Sequence, residues 1–227
     1  AGTFDHTTVF NGDVGIDTIN AAAVDSDIYL DLTTGGGVID GVAVTVTGIE
    51  NVYTGDGDDV IIGDLANNQL VGMRGNDRID GEAGDDDLIG GAGDDLLYGG
   101  IGNDVLNGTN YLAQGAGERD ILFSGEPSDS DIFVLGERQN DEGRVFYATA
   151  GDNDYAVIKD FEVPGLARNM SDMIQLLGSA DNYSIADVNI DGIIGAGIQF
   201  NDDVIGIVEG VNASSLNLVN TAQFAYV

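Results

Sequence analysis

Hydrophobic positions in the middle of the chain recur every nine residues. Between residues 54 and 107, only the eighth position of each nonapeptide is always a large aliphatic residue: Ile61, Leu70, Ile79, Leu88, Leu97 and Leu106. Because side chains alternate between the two faces of a strand, this residue is expected to point inward while the seventh and ninth point outward. Each aliphatic position thus predicts a short strand, and six-residue loops are predicted to join the strands.

The loops share the pattern Gly-x-x-Gly-Asp/Asn-Asp. The six units begin at Thr54, Gly63, Gly72, Gly81, Gly90 and Gly99. Their fourth positions are Gly57, Ala66, Gly75, Gly84, Gly93 and Gly102. Glycine reaches left-handed backbone conformations without steric cost, so such a loop can curl with its carbonyl groups pointing inward.

Acidic and amide residues follow these glycines. The fifth positions are Asp58, Asn67, Asn76, Asp85, Asp94 and Asn103, and the sixth are Asp59, Asn68, Asp77, Asp86, Asp95 and Asp104. Calcium takes six to eight oxygen ligands, which carbonyls from two loops and two sixth-position side chains can supply. A flexible acidic linker is the alternative reading of a stretch rich in Gly and Asp. A linker, however, has no reason to place an aliphatic residue at every ninth position.

The repeat resembles the calcium-binding nonapeptide of RTX proteins. The resemblance implies an all-β fold, a right-handed parallel β-roll in which two units form one turn and calcium lies between loops stacked on the same edge. It places Asp59, Asp77 and Asp95 in one column and Asn68, Asp86 and Asp104 in the other. Pairs of loops starting at Thr54 and Gly72, Gly72 and Gly90, Gly63 and Gly81, and Gly81 and Gly99 imply about four sites. The predicted metal-binding residues are Gly57, Asp58, Asp59, Asn68, Gly75, Asn76, Asp77, Gly84, Asp85, Asp86, Gly93, Asp94, Asp95, Gly102, Asn103 and Asp104, with Asp17 in an isolated unit upstream.

Some units depart from the family pattern. Ala66 and Asn68 are expected to weaken the site that uses the second unit, and Asp64, Met73 and Glu82 replace the second glycine. The edge that carries the second unit is therefore expected to bind calcium less tightly.

Composition narrows the range of partners. Seven Lys and Arg face 40 Asp and Glu, and the formal charge of −33 excludes nucleic acid and anionic membrane surfaces as electrostatic partners. The sequence has no Cys, and no stretch is long and apolar enough to span a membrane. Stacked carboxylates repel each other without a cation, so folding is expected to be coupled to calcium.

The sequence divides into three parts: an N-terminal β cap (1–53) with one degenerate repeat at 12–20, the RTX roll (54–107), and a C-terminal β cap (108–227). Segments 117–123 and 130–135 keep the Asp-x-hydrophobic spacing and are interpreted as closing turns with doubtful metal sites. The C-terminal part resembles that of cyanobacterial haemolysin-type calcium-binding proteins, and its apolar end at 224–227 fits both an uncleaved secretion signal and a final core strand. Further strands are predicted at 28–32, 42–46, 145–147, 155–158, 173–177, 204–208 and 224–227, with a turn at 35–37, and the segment 49–52 leads into the repeats.

The other sequence motifs give little support for a further metal site or for a catalytic site. Asp187, Asn189 and Asp191 copy the opening of an EF-hand loop, but Ile198 stands where the bidentate Glu is required, so a turn between strands is predicted. His6 is the single histidine and has no partner motif. Neither His-Glu-x-x-His nor Gly-x-Ser-x-Gly occurs, and no enzymatic activity is predicted.

These observations predict a secreted, extracellular calcium-binding protein with a structural, surface-layer, filament or adhesion role, which folds on meeting external calcium after one-step (type I) secretion. Self-assembly through exposed strand edges is an expected property. The first alternative is the noncatalytic secretion and stability tail of a larger secreted enzyme or toxin. It accords with a chain that starts at Ala1 without Met or a signal peptide, although a processed product fits equally. The second alternative is a calcium-dependent module that binds glycans or surfaces.

Overall fold

The computed structural model of the protein describes residues 8–110, 112–113, 115–127, 129–139, 142–148, 153–163 and 171–227, and His6 lies outside them. Within these ranges the only helices are two short 3-10 helices, η1 (Ala180–Asn182) and η2 (Ala213–Ser215). The strands are β1 (Thr8–Asn11), β2 (Thr18–Asn20), β3 (Tyr29–Asp31), β4 (Gly36–Ile39), β5 (Val42–Thr47), β6 (Asn51–Tyr53), β7 (Val60–Ile62), β8 (Gln69–Arg74), β9 (Arg78–Asp80), β10 (Asp87–Ala92), β11 (Leu96–Gly100), β12 (Val105–Thr109), β13 (Arg119–Gly125), β14 (Ile132–Val134), β15 (Gly136–Gln139), β16 (Glu142–Val145), β17 (Tyr155–Lys159), β18 (Met173–Leu176), β19 (Tyr183–Ile190), β20 (Ile193–Phe200), β21 (Asp203–Glu209) and β22 (Phe224–Tyr226).

Consecutive strands of the repeats alternate between two sheets. The larger sheet has the order β1-β5-β4-β3-β7-β9-β11-β13-β17-β21-β20-β19, and the smaller has the order β2-β6-β8-β10-β12-β14-β18-β22. Within the array all pairs are parallel, and Leu88 lies between Leu70 and Leu106 in register. Partners are therefore two nonapeptides apart, and each pair of units makes one turn. This arrangement confirms the predicted all-β fold, a β-roll with parallel sheets.

The core of the roll is the stack of eighth-position side chains between the two sheets. All six, from Ile61 to Leu106, have no exposed surface. Burial of each such side chain stabilises the fold by about 1.5–3 kcal/mol. The stack continues beyond the repeats, through Leu30, Val52 and Ile19 on one side and through Leu122, Phe133, Ile158, Ile174 and Phe224 on the other.

The regions on both sides of the array thus continue its sheets. Leu97 pairs with Leu122 and Leu106 pairs with Phe133, so the closing turns are longer than the turns of the array. An antiparallel hairpin of β19 and β20 extends the larger sheet beyond β21, and β15 pairs with β16 as a separate two-stranded sheet.

Two local predictions are wrong. The turn expected at 35–37 lies earlier, at 32–35, and Gly36 and Gly37 already belong to β4. The chain turns again at Asp40 and Gly41, which both have positive φ. The strand expected at 145–147 ends at Val145, and the next two residues form a turn in which Tyr147 has a φ of 54°. Phe146 and Tyr147 are fully buried, so the apolar character of this segment reflects packing rather than strand pairing.

Candidate metal centre

Sixth-position side chains form two rows, one along each edge of the roll. In each row a backbone N–H donates to the Oδ1 atom of the sixth-position residue in the next turn. Row one runs from Asp59 to Asp77 (2.8 Å), Asp95 (2.7 Å) and Asp120 (2.8 Å). Row two runs from Asn68 to Asp86 (2.7 Å), Asp104 (2.8 Å) and Asp131 (2.8 Å). Both rows keep the order of the columns that the resemblance implied.

The second carboxylate oxygen of most row members has no hydrogen-bond partner. These buried Oδ2 atoms belong to Asp59, Asp77, Asp86, Asp95, Asp104 and Asp131, whose relative exposure is at most 2%. A buried charged oxygen without a partner carries a large desolvation cost. Each of these atoms therefore requires a cation or a proton.

The first glycine of the loop leaves space beside this oxygen. An ideal Cβ atom built on Gly72 would lie 2.1 Å from Asp77 Oδ2 and 2.8 Å from the carbonyl oxygen of Gly90 in the next turn. We call this convergence of a carboxylate and a carbonyl oxygen a cradle, and name it by its glycine. The corresponding pairs of oxygens are Asp86 Oδ2 and Gly99 O at the Gly81 cradle (both 2.5 Å), Asp95 Oδ2 and Gly108 O at the Gly90 cradle (2.2 and 2.4 Å), and Asp104 Oδ2 and Ser124 O at the Gly99 cradle (2.6 and 2.5 Å).

Oxygens that converge without a donor suit a hard cation such as calcium, which binds carboxylates and carbonyls together. Among the described residues, no three His, Cys, Asp or Glu side chains converge tightly enough to hold a metal ion. Beside the carboxylates, the oxygens that converge on the cradles are backbone carbonyls such as those of Gly90, Gly99 and Gly108, and their binding of the metal stays a prediction. The residues present fit calcium in this way.

The raised pKa values of the row carboxylates also favour a bound cation. Burial, with repulsion from neighbouring carboxylates, raises the pKa of Asp77 and Asp86 to about 7 and that of Asp95 to about 9. The same causes raise the pKa of Asp104 to about 6. The ionised rows are thus unfavourable without a counter-charge, which a bound cation would supply.

Fifth-position side chains lie outside the cradles. All six are exposed, and their Oδ1 atoms accept N–H groups of adjacent turns. The N–H of Asn76 donates to Asp58 and that of Asp94 to Asn76 (both 2.8 Å), while that of Asp85 donates to Asn67 (3.0 Å) and that of Asn103 to Asp85 (2.9 Å). These hydrogen bonds link successive loops to each other. Direct binding of metal by the fifth-position side chains stays a prediction.

Fourth-position glycines shape the loops. Gly57, Gly75, Gly84, Gly93 and Gly102 all have φ between 121° and 139°. A Cβ atom on Gly75 would lie 1.9 Å from the carbonyl oxygen of Gly57, so no larger residue fits there without rearrangement. Ala66, the exception, has no positive φ.

The first two units also differ at their cradles. The hydroxyl of Thr54 donates to the carbonyl of Gly72 at 2.8 Å, a donor that a first-position glycine cannot supply. In the second unit, Asn68 Oδ1 accepts the N–H of Asp64 at 2.9 Å. The Nδ2 atom of Asn68 donates to the carbonyl of Glu50 at 3.2 Å. The three cradles with an unpartnered Asp Oδ2 within the array are thus those of Gly72, Gly81 and Gly90, and the fourth, that of Gly99, faces the closing turn.

Four acidic residues at the ends of the two rows were not among the predicted ligands. They are Glu50, Asp120, Asp131 and Asp172. The N–H of Asp17 donates to Glu50 Oε2 at 2.8 Å, and that of Asp131 to Asp172 Oδ1 at 3.1 Å. Each stands two residues before a buried hydrophobic residue, as at 50–52 and 172–174, and this spacing is the signal that could have identified all four.

The EF-hand-like segment is a hairpin. Asp191 and Gly192 form the turn between β19 and β20, with φ of 53° and 88°. Asp187 Oδ1 accepts the N–H of Ala213 at 2.6 Å, and Asp191 pairs with Arg119 at 2.6 Å. The predicted turn between strands is confirmed.

Fold and site together define the class: a parallel β-roll whose stacked acidic loops present oxygen ligands for a hard cation. A family model described as the RTX calcium-binding nonapeptide repeat matches four copies, over residues 45–79, 62–97 and 80–110. Residues 45–110 therefore carry RTX repeats, which bind calcium and are generally noncatalytic. The match begins nine residues before Thr54 and so takes in Glu50.

No curated protein matches the chain. In the described part of the chain, no helix is long and apolar enough to cross a membrane.

Proposed function

We propose that this chain is a secreted calcium-binding protein whose roll folds when calcium fills the cradles, and that it serves as a structural or adhesive component of the cell surface rather than as an enzyme. The observation that carries the proposal is the double row of buried Oδ2 atoms without a hydrogen-bond donor. The four cradles, those of Gly72, Gly81, Gly90 and Gly99, suit about four bound ions. RTX repeat proteins are typically secreted, which supports an extracellular location.

Bound calcium holds successive turns of the roll together. Adjacent strands of a sheet lie about 4.8 Å apart, so the carboxylates of one row repel each other strongly when ionised. The chain also carries a formal charge of −33 with few cationic side chains to offset it. Binding of divalent cations between turns converts this repulsion into attraction, and binding free energy becomes folding free energy.

The structural role is supported by the sheet edges. β1 and β2 end the two sheets on one side, and β19 and β22 end them on the other. Thr18 and Asn20 of β2 are exposed. Edge strands can pair with a second copy, so end-to-end assembly would give an acidic filament or sheath.

The test combines far-UV circular dichroism with light scattering after size exclusion, during titration from chelator to millimolar calcium. We expect a cooperative gain of β-structure that magnesium does not reproduce, because the cradles mix carbonyls and carboxylates in a flexible geometry that suits calcium. A mass that rises with calcium would support the surface-assembly role. A folded monomer at all concentrations would favour the tail of a larger secreted protein, and identical spectra with and without calcium would contradict calcium-coupled folding.

A further inference from the structure

Three side chains form an apolar row on the outside of the edge that carries row two. They occupy the third positions of the second, fourth and sixth units: Leu65, Ala83 and Ile101. The N–H of Ala83 donates to the carbonyl of Asp64 at 3.1 Å, and Ala83 and Ile101 form a parallel bridge. The three residues therefore lie side by side in successive turns, and we call them the apolar ridge.

The two large side chains of the ridge are turned toward solvent. Leu65 is 85% exposed and Ile101 is 59% exposed, whereas the eighth-position residues of the same units, Leu70 and Leu106, are fully buried. A single exposed aliphatic residue is ordinary on a protein surface. Apolar residues that are aligned over about 10 Å of one edge instead indicate a contact surface.

The opposite edge has different residues at the same position of the loop. Its third positions are Asp56, Arg74 and Ala92. Arg74 donates to both carboxylate oxygens of Asp56, at 2.9 and 3.0 Å, so an ion pair takes the place that Leu65 and Ala83 have on the other edge. Because both edges share the glycine and aspartate pattern of the loops, calcium binding does not account for the apolar ridge.

Acidic side chains border the ridge. Glu82 and Asp85 lie on the two sides of Ala83 in its loop, and both are exposed. Glu126, also exposed, lies one turn beyond Ile101. The three loops that carry the ridge contain no Lys or Arg. The surface thus has an apolar centre and an acidic rim, which complements a partner that is apolar and basic.

We propose that the apolar ridge docks a basic amphipathic helix of a partner protein. Successive turns of the roll are about 4.8 Å apart, and a helix rises by about 5.4 Å per turn. A stripe with one apolar residue per helical turn therefore stays close to the ridge over its three members. Lys and Arg on both sides of that stripe then face the acidic rim, which gives the complex its electrostatic attraction.

A second copy of this chain fits the ridge less well. Its own ridge has the same acidic rim, and two chains with a formal charge of −33 repel each other. The inference goes beyond the proposed function and rests on it only in that calcium folds the roll, so the ridge exists as a surface when calcium is bound.

The experiment measures the binding of fluorescently labelled synthetic peptides by anisotropy, in calcium that saturates folding. The probe is an 18-residue helical peptide with a stripe of Leu flanked by Lys. One comparison peptide has Gln in place of Leu, and the other has Glu in place of Lys. We expect the Leu and Lys peptide to bind at least about tenfold more tightly than either comparison peptide.

The variants Leu65→Gln and Ile101→Gln test the ridge itself. We expect each to weaken the binding of the Leu and Lys peptide by about tenfold. The matched control is Leu112→Gln, because Leu112 is 87% exposed and lies at the opposite edge, beside Arg74 and Ala92. This control should bind the peptide as the wild type does.

Circular dichroism in calcium verifies that each variant folds. Equal affinity of the wild type for the Leu and Gln peptides would overturn the proposal, since charge alone would then explain binding, and so would unchanged affinities in Leu65→Gln and Ile101→Gln. A wild-type dimer, or binding to phosphatidylcholine vesicles, that Leu65→Gln abolishes would assign the ridge to a second copy or to a lipid surface instead. A chain that stays unfolded in calcium before any peptide is added would refute the proposed function.

Discussion

Replacing Asp95 with asparagine should raise the calcium concentration at which the roll folds. Asp95 lies in the middle of row one, is exposed by 2%, and has an Oδ2 atom without a partner at the Gly90 cradle. Asparagine keeps the Oδ1 acceptor for the N–H of Asp77 but removes the charge. The control is Asp94→Asn, which removes the same charge from an exposed side chain whose Oδ1 accepts the N–H of Arg119.

The size of the shift follows from the geometry. A lost interaction with a charged group costs about 1.5–3 kcal/mol, and because Asp95 lies between two turns of row one, we count two sites, or about 3–6 kcal/mol. If about four ions bind as the chain folds, each tenfold rise in calcium adds about 5.6 kcal/mol of stability. The calcium midpoint should therefore rise by about three- to tenfold, whereas Asp94→Asn should shift it by less than about twofold.

The assay is a calcium titration of each purified variant, followed by far-UV circular dichroism at fixed pH and ionic strength. Equal midpoints for Asp95→Asn and the wild type would refute the assignment of row one as ligands. A shift of the same size in Asp94→Asn would show that net charge, rather than position in the cradle, controls the midpoint.

Three further predictions concern the second unit, the loop glycines and pH. Asn68→Asp should add a charged ligand to row two and tighten one calcium ion by about tenfold, measured by calorimetry, and an unchanged affinity would count against row two. Gly75→Ala should lower the free energy of unfolding by about 3 kcal/mol or more, measured by chemical denaturation with calcium present, because its Cβ would lie 1.9 Å from a carbonyl oxygen at a φ of 121°. As a control, Gly36→Ala should lower it by less than about 1 kcal/mol, because no atom lies within 4 Å of a Cβ at that position. Without calcium, β-structure should increase on acidification. The pKa of the Asp95 carboxyl is raised from an ordinary 3.8 to about 9, so the folded state binds more protons than the unfolded state. The resulting stability is present at low pH and is lost as the pH rises from about 4 to about 9. Loss of β-structure between pH 8 and pH 5 in calcium-free buffer would contradict this sign.

The periodic part of the fold could be predicted from sequence because one residue type repeats at one spacing. The eighth-position aliphatics gave the core, and the sixth-position residues gave the order of both rows. Past residue 107 the strict period is lost because the closing turns are of unequal length, so the sequence predicted closing turns only at 117–123 and 130–135. What survives is the Asp-x-hydrophobic spacing at Asp120, Asp131 and Asp172, which marks a position in the turn without showing which oxygens lack donors.

The hairpins of β19, β20 and β21 have a different sequence signal, in their turn residues. Asp191 with Gly192, and Asn201 with Asp202, have positive φ at both central positions of two-residue turns, a conformation that Asn, Asp and Gly favour. These pairs lie between segments of β-forming residues and could have predicted β19 and β20. The donor to Asp120 could not be predicted, because Tyr147 reaches it from a distant turn whose backbone has no periodic pattern.

Calcium binding in the cradles can be tested directly with a crystal structure grown in calcium, with anomalous diffraction data collected at long wavelength to locate the ions. We expect calcium peaks within ligand distance of Asp77, Asp86, Asp95 and Asp104 Oδ2, along both edges of the roll. A folded roll without anomalous peaks in the cradles, at calcium concentrations that support folding, would contradict it.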